Sequence, residues 1–252
     1  MNTIQLGRVT LGEGMPAICV PVMGQSAQEI EQAAARAKDA QADVIELRLD
    51  SLSAMPTIQQ AEDAARAVRA SAPDIPLLLT LRTARDGGAG STDAQAYEAL
   101  MTATMERSLG DAVDCELSIG EEAFARMARR AKAAGVLLVG SSHEFGRIGD
   151  VQRAADWLLQ QEALGADVCK AAVMAQTRAE AFALAQAYAQ VHERLHIPMI
   201  GIAMGPAGVI TRIGGACMGS CMTFGTAGAA SAPGQIDARR LRVALEIVQE
   251  AL

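Results

Sequence analysis

A single eight-stranded β/α barrel is the fold class this chain predicts, and three observations predict it. Short apolar runs recur at a steady interval, amphipathic segments lie between them, and charged residues interrupt the runs toward their carboxyl ends. The 252 residues match the ~250 typical of one such barrel. Residues 4–14 alternate apolar and polar side chains around Gly7-Arg8, which predicts a β-hairpin within residues 1–15 that closes the bottom of the barrel. Strand runs follow at 18–23, 44–49, 77–83, 112–118, 136–143, 168–174, 199–204 and 221–227. Apolar residues at helical spacing mark 27–40, 93–109, 121–134, 150–164 and 178–192. The strand runs repeat about every 29 residues, near the length of one βαβ unit. An open doubly wound sheet shares that rhythm, but eight units in this length favour closure. No Pro/Gly/Ser-rich linker interrupts residues 1–252, so a single domain is expected.

Composition narrows the function. Half of the residues are apolar but only 3% are aromatic, so the core is built from Ala, Val, Ile, Leu and Met. A net charge of −7 with dispersed Lys and Arg argues against nucleic-acid binding, which needs a basic stripe. No apolar run approaches the ~18 residues of a membrane span, and no basic-then-apolar leader opens the chain, so a cytoplasmic protein is expected. The five cysteines form no Cys-x-x-Cys pair and are expected as buried free thiols rather than metal ligands.

A parallel barrel strand is buried on both faces, so a charge inside it costs several kcal/mol (on the order of 2–7) unless it is paired or used. The informative positions are therefore Glu46 and Arg48 in Val-Ile-Glu-Leu-Arg-Leu-Asp, Arg82 in Leu-Thr-Leu-Arg-Thr, Glu116, His143 and Lys170. Glu46 and Arg48 share a face, with Asp50 next in line. A structural ion-pair network accounts for some of these groups, Glu116 above all. Lys170 sits mid-strand in Val-Cys-Lys-Ala-Ala-Val-Met, where desolvation and cations such as Arg48 or Arg82 favour the neutral amine. A neutral amine adds to a ketone, and the resulting iminium acidifies the neighbouring carbon. The alternative is an ammonium that snorkels to an opening or pairs with Glu46 or Glu116. His143 ends the preceding strand and is placed to move protons, its tautomer held by Asp86 or Glu116, whereas His192 and His196 read as solvated or capping residues. Gly87-Gly88 lets a loop bend over the mouth. Arg212 is either a carboxylate clamp or a surface arginine, Ser231 and Gln235 offer neutral donors from a loop, and the glycines of 214–228 offer a weaker phosphate cradle.

Five motifs in order carry a resemblance. They are Glu-Leu-Arg-Leu-Asp at 46–50, Leu-Arg-Thr at 81–83 with Gly87-Gly88, Ser-Ser-His-Glu-Phe at 141–145, Ala-Asp-Val-Cys-Lys at 166–170, and Thr-Phe-Gly…Ser-Ala-Pro-Gly-Gln at 223–235. Over roughly residues 16–250 the chain resembles the type I 3-dehydroquinate dehydratase family. The resemblance implies a homodimeric β/α barrel without metal or organic cofactor, acting on a small molecule, 3-dehydroquinate, in the shikimate pathway of aromatic amino acid biosynthesis. It implies Lys170 as the imine-forming lysine, His143 as the proton carrier in a syn elimination of water, and Asp86 as the acid that orients it. It places Glu46, Arg48, Arg82, Arg212, Ser231 and Gln235 on the substrate, Arg212 at its carboxylate, with Met204 and Phe224 as apolar walls. Relatives usually carry Glu where this chain has Asp86, one methylene shorter, which leaves room for a water between Asp86 and His143. Ser142 replaces a common aromatic residue and Ile202 a frequent methionine. A class I aldolase and a non-catalytic binding protein are the competing functions.

Overall fold

In the computed structural model, which describes residues 3–146, 149–228 and 231–252, the chain opens with an antiparallel hairpin of β1 (Ile4–Leu6) and β2 (Val9–Leu11). Met1 and Asn2 of the expected 1–15 segment lie outside the described residues. Gly7 turns the hairpin at φ +55°, and a Cβ there would meet Pro76 at 2.8 Å, so glycine is needed twice over.

Seven strands then pair in chain order, all parallel: β3 (Ala17–Val22), β4 (Val44–Arg48), β5 (Leu77–Thr80), β6 (Ala112–Glu116), β7 (Leu137–Glu144), β8 (Val168–Met174) and β9 (Met199–Met204). The eighth, β10 (Met222–Thr226), pairs with β3, and the two-residue β11 (Ile236–Asp237) extends that edge. The sheet curls into a barrel where the Cys221 N–H donates to Met199 O at 2.8 Å while the Ala17 N–H donates to Cys221 O at 3.0 Å. All eight expected strands form. The runs at 77–83 and 112–118 were drawn too long because the backbone leaves the ladder early. The Arg82 N–H turns to the Asp50 carboxylate, and a one-turn 3-10 helix begins at Leu117.

The outer layer is α1 (Ala27–Asp39), α2 (Ile58–Ser71), α3 (Ala94–Glu106), α4 (Glu121–Ala134), α5 (Gln152–Ala163), α6 (Arg178–His192), the short α7 (Val209–Ile213) and α8 (Ala238–Gln249). Side chains at the helix starts explain several boundaries: Ser26, Asp93, Thr177 and Asp237 each accept from first-turn N–H groups, and Thr57 with Gln60 forms a reciprocal capping box. Helices α2, α7 and α8 were not among the expected segments; α7 is too short for a periodic signal. The core divides accordingly. Ile18, Val20, Ile45, Leu47, Leu77 and Leu79 face outward against the helices. Inside, Cys19, Val44, Leu78, Ala112, Val139, Val168 and Ile200 pack on Leu6 and Leu11, so the hairpin closes the bottom. Four cysteines are buried and unpaired; Cys217 is exposed. Among the described residues no helix is long and apolar enough to cross a membrane.

Candidate active site

Alternation along parallel strands builds the site. Residues two apart share a face, so the inward side chains of each strand climb toward its carboxyl end. The lowest level is apolar: Val44, Leu78, Ala112, Val139 and Val168. Two residues on, the same chains present Glu46, Thr80, Asp114, Ser141 and Lys170, and two further on Arg48, Arg82, Glu116 and His143. A cavity opens there, and each of the eleven expected site residues borders it.

Lys170 is 4% exposed, with its Nζ 4.3 Å from the centre of the Phe224 ring. Two carboxylates lie within 4 Å of the amine: Asp114 Oδ2 at 3.8 Å and Glu46 Oε1 at 3.9 Å. Arg82, one of the cations expected near it, shares Asp114 Oδ2 with it, bonding that oxygen at 2.7 Å. Both contacts of the amine are longer than a hydrogen bond, so it is near the acids without being locked to them. Glu46 instead accepts from Thr80 Oγ1 at 3.0 Å.

Arg82 borders the cavity and aims its guanidinium inward, at the acids of β6. Its Nη2 donates to Asp114 at 2.7 Å, and its Nη1 donates to Glu116 at 2.8 Å and to Ser141 at 3.0 Å. Burial pushes Asp114 up, but Arg82 and Lys170 prevail and hold its carboxyl below the usual range; Glu116 is pushed up by burial, Arg82 notwithstanding. Asp114 and Ser141 were missed in the sequence. The signal was present in Ala-Val-Asp-Cys-Glu, where Asp114 stands two residues before Glu116, and in Ser141, two before His143. Arg48 forms a bidentate pair with Asp50, with both bonds 2.8 Å, and Asp50 also accepts the N–H groups of Arg82 and Ala89. Burial opposes ionisation of Asp50, yet the Arg48 fork keeps its carboxyl below the usual range.

His143 is held by Asp86, not Glu116. Asp86 Oδ2 lies 3.1 Å from both the ring Nδ1 and the backbone N of His143. The shorter acid reaches the ring without a bridging water because the loop comes in. Asp86 ends a one-turn 3-10 helix (Ala84–Asp86), Gly88 and Asp86 N–H groups both donate to Thr83 O, and Gly87 at φ +80° lies so close to Phe145 that a Cβ would overlap the ring. With Nδ1 donating to the carboxylate, Nε2 keeps a free lone pair. Burial first, then Arg82 and Lys170, hold the imidazole well below its ordinary proton affinity, so it is neutral at pH 7. Asp86→Asn leaves the volume but removes the charge that orients the ring; kcat is expected to fall about 10- to 100-fold with KM little changed in steady-state assays.

The far wall carries Met204, Phe224 and Arg212, all buried. Arg212 is 1% exposed, donates to Phe224 O at 3.3 Å and Pro233 O at 3.0 Å, and leaves Nε without a partner. Among the described residues no acid pairs with it, and burial pushes it down to about 10. The surface-arginine alternative is therefore excluded. Ser231 and Gln235 bond to each other across the mouth, with Ser231 N to Gln235 Oε1 at 2.8 Å. No glycine of 214–228 lines this cavity: Gly214, Gly215 and Gly219 precede β10, and Gly219 lines a different cavity with Gly12 and Gly14 beside the hairpin. His192 and His196 lie away from the site.

Residues 18–251 match the family model described as type I 3-dehydroquinase. A 3-dehydroquinate dehydratase of Salmonella agona is 34% identical over 252 residues, covering 100% of both chains, and one of Listeria monocytogenes is 35% identical over 250 residues, covering 99% of both. Among solved structures, a type I 3-dehydroquinate dehydratase from Clostridium difficile with covalently modified comenic acid superposes with a TM-score of 0.95 at 32% identity over 100% of both chains. The Geobacillus kaustophilus 3-dehydroquinate dehydratase gives 0.93 at 32% identity over 99% of both.

Proposed function

The chain belongs to the type I 3-dehydroquinase family and is a hydro-lyase of that family, and from this premise we propose that it dehydrates 3-dehydroquinate to 3-dehydroshikimate through an imine on Lys170. The observation that carries the mechanism is the unlocked amine of Lys170 in one cavity with the Asp86-held imidazole of His143. The amine adds to the ring ketone, and loss of water from the adduct gives the iminium. His143 Nε2 takes the proton from the adjacent carbon, the electron pair moves toward the iminium nitrogen, and its return expels the β-hydroxyl. The same imidazolium protonates that hydroxyl as it leaves, which requires proton and hydroxyl to depart from one face. Water then hydrolyses the iminium, restoring the amine, so one molecule of water is lost overall. Arg212 supplies an uncompensated cation for the substrate carboxylate, and Arg48, Arg82, Glu46, Ser231 and Gln235 face its hydroxyls and ring.

The test is borohydride trapping with 3-dehydroquinate, followed by intact mass and peptide mapping. A reduced adduct on Lys170, with product absorbance rising in the untrapped sample, is expected. No adduct, or an adduct without dehydration, rejects the proposal. The aldolase alternative loses ground because no glycine of the 214–228 tract lines the cavity and the available cation suits a carboxylate.

The acid limb of the rate profile follows from His143. The base must be neutral, so activity is lost as pH falls through the imidazole pKa, which burial sets below its usual value of about 6.5. A plot of kcat/KM against pH is expected to stay flat down to that value and to fall below it. A limb centred above pH 6.5 removes His143 as the base.

The proposal extends to one domain, supported by the continuous sheet from β3 to β10. A homodimer is supported by exposed Phe182, Val243 and Ile247 on the outer helices, and a cytoplasmic setting by buried thiols without a disulfide.

A further inference from the structure

Behind the barrel wall, Gln161 of α5 is 0% exposed, an unusual setting for a carboxamide. Its Oε1 accepts the Lys170 N–H at 2.8 Å, and its Nε2 donates to Lys170 O at 3.1 Å and to Ser142 Oγ at 3.0 Å. One side chain thus bonds both main-chain polar groups of the residue bearing the amine and also the residue just before His143. Ser142 points outward to make this contact, since Ser141 and His143 on either side point inward. Gly140 lacks a Cβ where the Gln161 stem passes; an added Cβ would lie 3.1 Å from it.

We propose that Gln161 is a positioning residue that fixes the root of the Lys170 side chain, and its spacing from His143, by clamping β8 to β7 from outside the barrel. The inference rests on Lys170 forming the imine. Attack on a ketone demands alignment, and a displacement on the order of 1 Å costs about 100-fold in rate. Substrate contacts such as Arg212 and Arg48 lie on other elements, so loss of the clamp spares binding.

The experiment measures kcat, KM and the rate of borohydride trapping for the wild type, Gln161→Leu and Gln161→Glu, with circular dichroism of each. Gln161→Leu is expected to lower kcat and the trapping rate about 10- to 100-fold while KM stays within about twofold. Gln161→Glu separates positioning from packing. Burial raises a carboxyl pKa, so at acid pH the protonated group can both donate to Lys170 O and accept from its N–H. Its activity relative to wild type is expected to be near normal at low pH and to fall as pH rises through that ionisation. If Gln161→Leu fails to fold, the relative pH profile of Gln161→Glu decides. A folded Gln161→Leu trapping at the wild-type rate, or a Gln161→Glu profile parallel to wild type, overturns the inference. Absence of an adduct in the wild type removes the premise instead, and is recognised by that control alone.

Discussion

Lys170→Ala is expected to give no borohydride adduct and to lose at least about 10⁴-fold in kcat, ~5.5 kcal/mol of transition-state stabilisation, while folding normally. The second half of that result discriminates. If Lys170 were a structural cation, its removal would strand buried carboxylates at a cost of about 3–5 kcal/mol. The geometry says otherwise. Asp114 remains bonded to Arg82 and Ser141 at 2.7 Å each, and Glu46 remains bonded to Thr80, with no hydrogen bond to Nζ to be lost. Thermal unfolding of the variant should therefore stay close to wild type. A large fall in the unfolding midpoint, or residual trapping at another lysine, would return Lys170 to an ion-pair role.

The barrel was legible because its determinants are local. Parallel strands buried on both faces leave continuous apolar runs, and helices that cover them leave a helical period, so Val168 to Met174 and Glu121 to Ala134 could be bounded to the residue. Charged residues such as Lys170 and His143 were legible for the opposite reason: they violate the pattern. What stayed hidden depends on distance in sequence. Asp86 reaches His143 directly where Phe145 packs against Gly87 of the same turn, a fit between segments 57 residues apart. Arg82 is turned inward by Asp114 and Glu116, partners over 30 residues away. Gln161 gave no signal, since a polar residue in an amphipathic helix reads as solvent-facing until the strand beneath it is known.

Arg212→Met should separate function from stability in opposite directions. The guanidinium is buried without an acid, and its proton affinity is depressed to about 10. At ~1.4 kcal/mol per tenfold change in that affinity, the folded protein carries a penalty of a few kcal/mol at neutral pH. Two bonds to the carbonyls of Phe224 and Pro233 offset part of it, about 1 kcal/mol each and more for a charged donor. Methionine fills much of the volume, so the unfolding midpoint of the ligand-free variant is expected to hold or rise. A substrate carboxylate removes the penalty by supplying the missing charge, so its loss is felt on binding. Truncating one side of a buried, hydrogen-bonded ion pair costs about 2–5 kcal/mol, or roughly 30- to 5,000-fold in kcat/KM, carried mainly by KM. Ligand-induced stabilisation in a thermal-shift assay should shrink in parallel. Unchanged KM together with a fall in the ligand-free midpoint would make Arg212 a structural strut, with the substrate carboxylate held elsewhere. A rise in KM without a fall in stability is the signature of a cation kept unpaired for its ligand.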